Sequence, residues 1–309
     1  MGIAVVGSLG LDTIETPAGR VEEVLGGSAA YFSLAARLFL PVSLVAVVGH
    51  DFPAEARAML EHPEVDLTGL EVREGRTFRW EGVYSEDMNT RRTIRTELNV
   101  FESFQPRLSE GTRALQDVFL ANIDPVLQQE VLGQLSRPRL VLADTMNYWI
   151  QNKRAELLQT LRRVRILIIN EEEAREISGE ALTHKAARAI LALGPETVVI
   201  KQGEHGAFLQ GPDLYFSCPA YPIETVIDPT GAGDTFAGGF FGALARMGRV
   251  TDANLRRAVV YGCVLASFTV EGFGVLGLRR AERDEILRRA SEIASMTRFD
   301  LVDTSRILR

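Results

Sequence analysis

"RLVLADT" (139–145), "AELLQTLRRV" (155–164), "ILIIN" (166–170), "EEEAREIS" (171–178), "HKAARAILAL" (184–193) and "TVVIKQG" (197–203) follow one another along one stretch of chain. Three are short, near-continuous apolar runs, and the segments between them carry helical spacing. A strand that is apolar throughout has both of its faces covered, and helical crossovers join strands that run parallel. The stretch predicts an α/β fold with a central, mainly parallel sheet. Working outward, "IAVVG" (3–7) and "VSLVAVVG" (42–49) bracket the helix-like "SAAYFSLAARLF" (28–39), and the pattern from about Leu244 to Ala294 is mostly helical. Sheets of this kind take their ligands at the carboxyl ends of the strands.

Composition narrows the classes. The 309 residues are 46% apolar and 24% charged, enough for a sizeable core. A formal net charge of −7 leaves no basic surplus for a general nucleic-acid or anionic-membrane binder. Cys218 and Cys263 are too few for a disulfide framework or a zinc site, which fits a reducing compartment. "GIAVVGSLGLD" (2–12) reads as a first strand, without the basic start or cleavage site of a signal peptide, and no apolar run has membrane-spanning length. A soluble, cytoplasmic protein is expected.

Two segments break the α/β rhythm. Residues 70–100 show strand-like alternation on both sides of "SEDMN" (85–89), and "LDTIETPAGRVEEVLGG" (11–27) turns near Pro17, Ala18 and Gly19. As insertions at about 11–26 and 70–103 they would make a small sheet outside the main fold. It reads either as decorated surface hairpins or as a lid over the strand-end cleft, hinged at Gly26 and Gly27. Phe78 and Trp80 share one face of a lid strand, where they would stack on a ring or simply pack. Arg91 and Arg95 are spaced to share a face, as are Arg92 and Ile94.

"DPTGAGDTFAGGF" (228–240) opens the helical C-terminal part. Its glycines let the chain turn tightly into a helix whose first amides have no internal partners. Gly231, Ala232 and Gly233 carry nothing that blocks an anion from those amides. Asp234 would repel the same anion, but it suits a base taking a proton from a hydroxyl that attacks a phosphorus held there. A glycine turn followed by an aspartate cap is the plainer alternative.

The whole string resembles the C-terminal signature of the ribokinase, or PfkB, family of carbohydrate kinases, with Pro229 departing from the usual threonine. "GGSAAYFSLAARLFLPVSLVAVVGHDFPAEA" (26–56) is similar to the N-terminal signature, "NEEEA" (170–174) to an Asn-x-x-Glu motif, and "KQGEHG" (201–206) to a nucleotide-side glycine turn. The resemblance runs along essentially the whole chain. It implies the ribokinase-like three-layer fold, a single kinase domain over 1–309 with a small β-sheet lid, and transfer of the γ-phosphoryl group of ATP to a hydroxyl of a sugar-like molecule. By the same resemblance Asp234 is the base, and the amides of Gly231 to Gly233 are the anion hole. Asn170 and Glu173 organise Mg²⁺ largely through water, as that ion prefers. Lys201, Gly203 and Gly206 border the nucleotide phosphates and ribose, and Gly262 lies against the adenine. Asp228 and Thr230 stand where many members hold a monovalent cation such as K⁺. Asp12, Gly26 and Gly27 face the acceptor.

Tyr31 replaces an asparagine common in ribose kinases, as it does in the inositol- and nucleoside-kinase branches. The acceptor stays open among sugar, sugar acid, sugar phosphate, nucleoside and inositol. A homodimer through the lid is expected, as in many relatives. Other classes fare worse, since Gly-x-Gly-x-x-Gly does not follow the first strand and no Gly-x-x-x-x-Gly-Lys-Ser/Thr occurs. A non-catalytic sugar or nucleotide sensor on the same scaffold is the remaining alternative, though it would have no use for Asp234.

Overall fold

In the computed structural model, which describes residues 1–298, the apolar runs become strands buried from end to end. All four residues of β1 (Ile3–Val6) are inaccessible, and Ile3 and Val5 enter one core while Ala4 and Val6 enter another on the opposite face. Side chains alternate across a strand, so a run apolar at every position needs a hydrophobic layer on each side. The other strands are β2 (Gly10–Thr16), β3 (Gly19–Gly26), β4 (Val42–Gly49), β5 (Val65–Arg73), β6 (Phe78–Tyr84), β7 (Arg91–Glu97), β8 (Asp117–Leu120), β9 (Leu140–Ala143), β10 (Ile166–Asn170), β11 (Thr197–Lys201), β12 (Ala207–Gln210) and β13 (Tyr215–Cys218).

Nine of them form one sheet in the order β13-β12-β11-β10-β9-β8-β1-β4-β5, parallel except near one edge, where β12 runs antiparallel to both β11 and β13. Helices Ser28–Ala36, Ala232–Met247 and Asp252–Thr269 pack on one face, and helices Pro125–Gln134, Arg154–Leu161 and Thr183–Leu191 on the other. This is the three-layer arrangement expected from the sequence. No single helix among the described residues is long and apolar enough to cross a membrane.

The remaining four strands make a separate sheet in the order β3-β2-β6-β7, with β2 and β6 parallel and the outer pairs antiparallel. Its two hairpins come from the two segments that break the α/β rhythm. Residues 70–73 differ from expectation, because they finish β5 and pair with β4 at the edge of the main sheet. The second hairpin therefore starts at Phe78.

One carboxylate fixes where it starts. Asp51, just past β4, accepts from the Thr77 amide at 2.7 Å and from Thr77 Oγ1 at 2.7 Å, and forms an ion pair with Arg79 Nη1 at 2.8 Å. Thr77 is fully buried, and its hydroxyl oxygen also accepts from the Gly49 amide at 3.0 Å. Charge-assisted bonds of this kind are stronger than neutral ones. Asp51→Ala should strand the Thr77 donors and cost about 1–3 kcal/mol of stability. Urea denaturation reads the loss, and an unchanged midpoint would show that the anchor carries nothing.

Candidate active site

Burial ends abruptly at the carboxyl ends of β10 and β11, where Asn170 and Lys201 are paired in register and partly exposed after four buried residues each. Beside them β9 runs out into Asp144, which is 4% exposed. Lys201 Nζ lies 3.3 Å from Asp144 Oδ2, and Asp144 Oδ1 accepts from the Thr145 amide at 2.8 Å. Burial acts to lower the Lys201 pKa, but Asp144, Glu173 and Asp234 outweigh it and hold the ammonium above its usual value. Asp144 is a site residue that the sequence reading missed. Its signal was present, as an acid directly following an apolar strand.

Asn170 and Glu173 form a reciprocal cap on the helix Glu171–Ser178. Asn170 Oδ1 accepts from the Glu173 amide, and Glu173 Oε2 accepts from the Asn170 amide, both at 2.8 Å. Glu173 is 6% exposed, and burial followed by the Asp144 charge pushes its pKa to about 8, against the pull of Lys201. Oε1 meets no protein donor among the described residues. A buried carboxylate with a spare oxygen and so high a pKa is suited to a nearby cation. No group of three or more His, Cys, Asp or Glu side chains able to hold a metal occurs among the described residues.

Gly231 caps the helix Ala232–Met247 with φ +74°, a left-handed value that glycine adopts without strain. The Ala232 amide turns back to the Pro229 carbonyl at 3.2 Å, whereas the Gly231 and Gly233 amides meet no protein acceptor among the described residues. Of the three amides assigned to an anion hole, two are open. Lys201 Nζ stands 3.0 Å from where a Gly233 Cβ would lie, so its charge adjoins them. Asp234 follows in the first turn. Burial and then the Asp144 charge raise its pKa to about 7, while Lys201 and Arg91 pull it down.

On the other side of this turn, Asp12 is 4% exposed in β2. Burial, Asp228 and Asp234 raise its pKa to about 8, and Arg91 opposes them. A side chain at Gly26 would overlap the Asp12 carboxyl, and Gly27, at φ +94°, starts the helix Ser28–Ala36. The Tyr31 ring packs against Gly231, and its hydroxyl is buried without a partner among the described residues. Burial raises the Tyr31 pKa, with Asp12, Asp228, Tyr84 and Asp234 adding to it. Asp228 is fully buried, and its oxygens accept from the Thr230 and Gly274 amides at 2.8 Å each. Thr230 Oγ1 donates to Tyr84 Oη at 3.1 Å, and Thr16 Oγ1 donates to the Ile227 carbonyl at 2.9 Å. Both bonds tie the small sheet to the glycine turn.

The inner face of that sheet departs from the expected pattern. A bulge shifts the β6–β7 register, so Arg95 opposes Glu81 whereas Thr93 opposes Gly82 and Arg91 opposes Tyr84. Arg91 and Arg95 consequently do not share a face. Arg91 sits 5.3 Å from the centroid of the Trp80 ring, while Arg95 pairs outside with Glu81 and Glu97. Trp80 lies opposite Asp12, its Nε1 donating to Thr93 Oγ1 at 3.3 Å. Phe78 is separated from it in role, being packed with Phe101 at 5.7 Å between ring centroids.

A cavity of about 470 Å³ opens beside Lys201, Gly203, Gly206 and Gly233, with apolar walls from Ile223, Val226, Phe236, Cys263 and Val270. Gly262 does not line it. A Cβ there would meet the Phe236 ring at 2.8 Å, so this glycine serves helix packing and its neighbour Cys263 reaches the cavity.

Comparison with known proteins gives this geometry its context. The model of the pfkB family carbohydrate kinases matches residues 3–281. A cytidine kinase of Thermococcus kodakarensis is 31% identical over 252 residues, spanning 80% of this chain and 89% of that protein. The nucleoside kinase of Methanocaldococcus jannaschii, of known structure, superposes with a TM-score of 0.75 at 21% identity, over 94% of this chain and 99% of that one. An aminoimidazole riboside kinase of Salmonella enterica, solved with aminoimidazole riboside and an ATP analogue, gives 0.73 at 20% identity, over 94% and 100%.

The raised carboxyl groups have a measurable consequence. Asp234 binds its proton more tightly in the folded chain than its unfolded value near 4 allows, so the stability it contributes is complete below about pH 4 and is lost as pH rises through about 7. Asp234→Asn removes that titration. The stability of the variant relative to the parent protein should therefore grow between pH about 5 and about 8. A difference that stays constant across this range in urea titrations would contradict the assignment.

Proposed function

The chain belongs to the pfkB family of carbohydrate kinases, and we propose that the acceptor of this ATP-dependent kinase is a nucleoside, phosphorylated on a hydroxyl of its ribose. The observation that carries the reading is the inner face of the small sheet. There the Trp80 indole and the Arg91 guanidinium stand beside Asp12, a wall fit for a flat heterocycle next to a carboxylate fit for a diol. A carboxyl group offers its two oxygens to the two hydroxyls of a diol, a ring stacks on an indole, and a guanidinium donates to exocyclic oxygens. Similarity to a cytidine kinase supports the same choice.

In this reading the cavity beside Lys201 takes ATP, with its base against Ile223, Val226 and Cys263. The acceptor hydroxyl attacks the γ-phosphorus in line, its proton passes to Asp234, and the bond to the bridging oxygen of ADP breaks. Charge on the transferred group is met by the open Gly231 and Gly233 amides and by Lys201. Magnesium supplies charge neutralisation at the phosphates, and Glu173 Oε1 would hold water around it. The Tyr31 hydroxyl and Asp12 orient the acceptor. The small sheet acts as a lid that excludes water. Its β7 edge is exposed and carries Ile94 at 43% exposure, which supports pairing of two lids in a homodimer. Light scattering that finds only monomer at every concentration would rule that pairing out.

Initial rates with cytidine, uridine, adenosine, inosine, ribose and myo-inositol test the acceptor. A nucleoside should exceed ribose in kcat/KM by at least about tenfold, since stacking of one base is worth roughly 1–3 kcal/mol. Trp80→Ala should erase the preference, and Asp234→Asn should lower kcat at least about 10²-fold while leaving binding intact. Ribose or inositol as the best substrate would overturn the nucleoside reading.

A further inference from the structure

We propose that Met88 and Asn89, at the tip of the β6–β7 hairpin, form part of the phosphoryl-donor site, so that one element of the lid contacts both substrates. The inference rests on the donor cavity assigned above.

The tip is built as a rigid turn. Asp87 Oδ1 accepts from Ser85 Oγ at 2.6 Å, from the Asn89 amide at 2.9 Å and from the Thr90 amide at 3.3 Å. The Ser85 amide donates to the Thr90 carbonyl at 3.0 Å and the Met88 amide to the Ser85 carbonyl at 2.9 Å. Met88 is held at φ +56°, a backbone conformation that a residue with a side chain seldom takes. Asp87, Met88 and Asn89 all border the 470 Å³ cavity that Lys201 and Gly233 also line. Asn89 Oδ1 lies 3.6 Å from where a Gly203 Cβ would be, which sets the tip over the glycine turn on the ribose and phosphate side.

The shaft of the same hairpin faces the acceptor space. Trp80 and Arg91 lie along it, and Tyr84 reaches the glycine turn through Thr230. Only residues 85–87 separate Tyr84 from Met88, so the hairpin spans from Asp12 to the cavity. A half-buried thioether is a polarizable surface for a nucleotide, and the Asn89 amide offers donors and an acceptor to a ribose hydroxyl or a phosphate oxygen.

Titration calorimetry with the Mg²⁺ complex of AMP-PNP tests this on the full chain. Met88→Gly is the informative variant, because glycine accepts φ +56° without strain and the turn survives the loss of the side chain. Met88→Gly and Asn89→Ala should each weaken binding about two- to tenfold, the range for losing one such contact. Lys201→Ala serves as a control on the cavity itself. If Lys201→Ala weakens binding and both tip variants match the parent protein, the tip has no part in donor binding, and the donor cavity stands. If none of the three changes the affinity, the nucleotide binds elsewhere and both assignments fall.

Discussion

The Asp144–Lys201 ion pair sets the chemistry of the site. Lys201 is the ammonium that answers Asp144, Glu173 and Asp234, three carboxyl groups gathered where β9, β10 and the glycine turn converge. So many acids in so little water cannot all ionise, and Asp234 and Glu173 answer by holding their protons to about pH 7 and 8. For Asp234, in the role of base proposed above, that value is useful, because a general base is most effective when its pKa lies near the working pH. Burial raises it first, and two opposed charges then adjust it. Asp144 raises the pKa and Lys201 lowers it, and since they are bonded to each other neither moves alone. Removal of Asp144 would free Lys201 as well as relieve Asp234, so the pair is one tuning device.

The small sheet depends on a second set of polar contacts, and these reach the same turn. Asp51 and Gly49 fix the start of β6 through Thr77. Thr16 and Tyr84 bond to Ile227 and Thr230, on either side of Asp228. Asp228 then spends both oxygens on backbone amides of its own turn and of Gly274. The segment that presents the open amides is thus gripped from the small sheet and from the core at once. Tyr31 completes it from below, its ring filling the space that a side chain at Gly231 would need. The glycine in this turn answers to a left-handed backbone and to that ring together.

How much was legible in the sequence follows from how local each signal is. Apolar runs read correctly as buried parallel strands, because burial on both faces leaves no other composition possible. That a helix starts at the glycine turn, and that the Asn170–Glu173 spacing falls at a helix start, read correctly because each is a contiguous string that closes on itself. The face of Arg91 did not, since spacing along one strand says nothing of a bulge that appears only when β7 is laid against β6. Gly262 misled for a related reason. Glycines in helices look alike whether they admit a ligand or a neighbouring ring, and here the ring of Phe236 takes the space. Asp144 went unremarked, and "SEDMN" (85–89) read only as a turn, because their meaning lies in partners far along the chain, Lys201 for one and the cavity for the other.

Why the chemistry collects along one edge has a topological answer. A strand covered on both faces tolerates polar side chains mainly at its ends, and β9, β10 and β11 each place a charged or amide side chain at or just after the carboxyl end. Parallel pairing then lines those ends up, so Asp144, Asn170 and Lys201 become neighbours without any need for proximity in sequence. The antiparallel edge obeys the same geometry. β13 ends opposite the start of β12, which in turn begins opposite Lys201, so the chain leaving β13 emerges on the same edge. It supplies Ala220 to Ile223 as cavity wall, with no charge among them. Strand direction alone therefore sorts this edge into a charged half and an apolar half, the pairing that a nucleotide presents with its phosphates and its base.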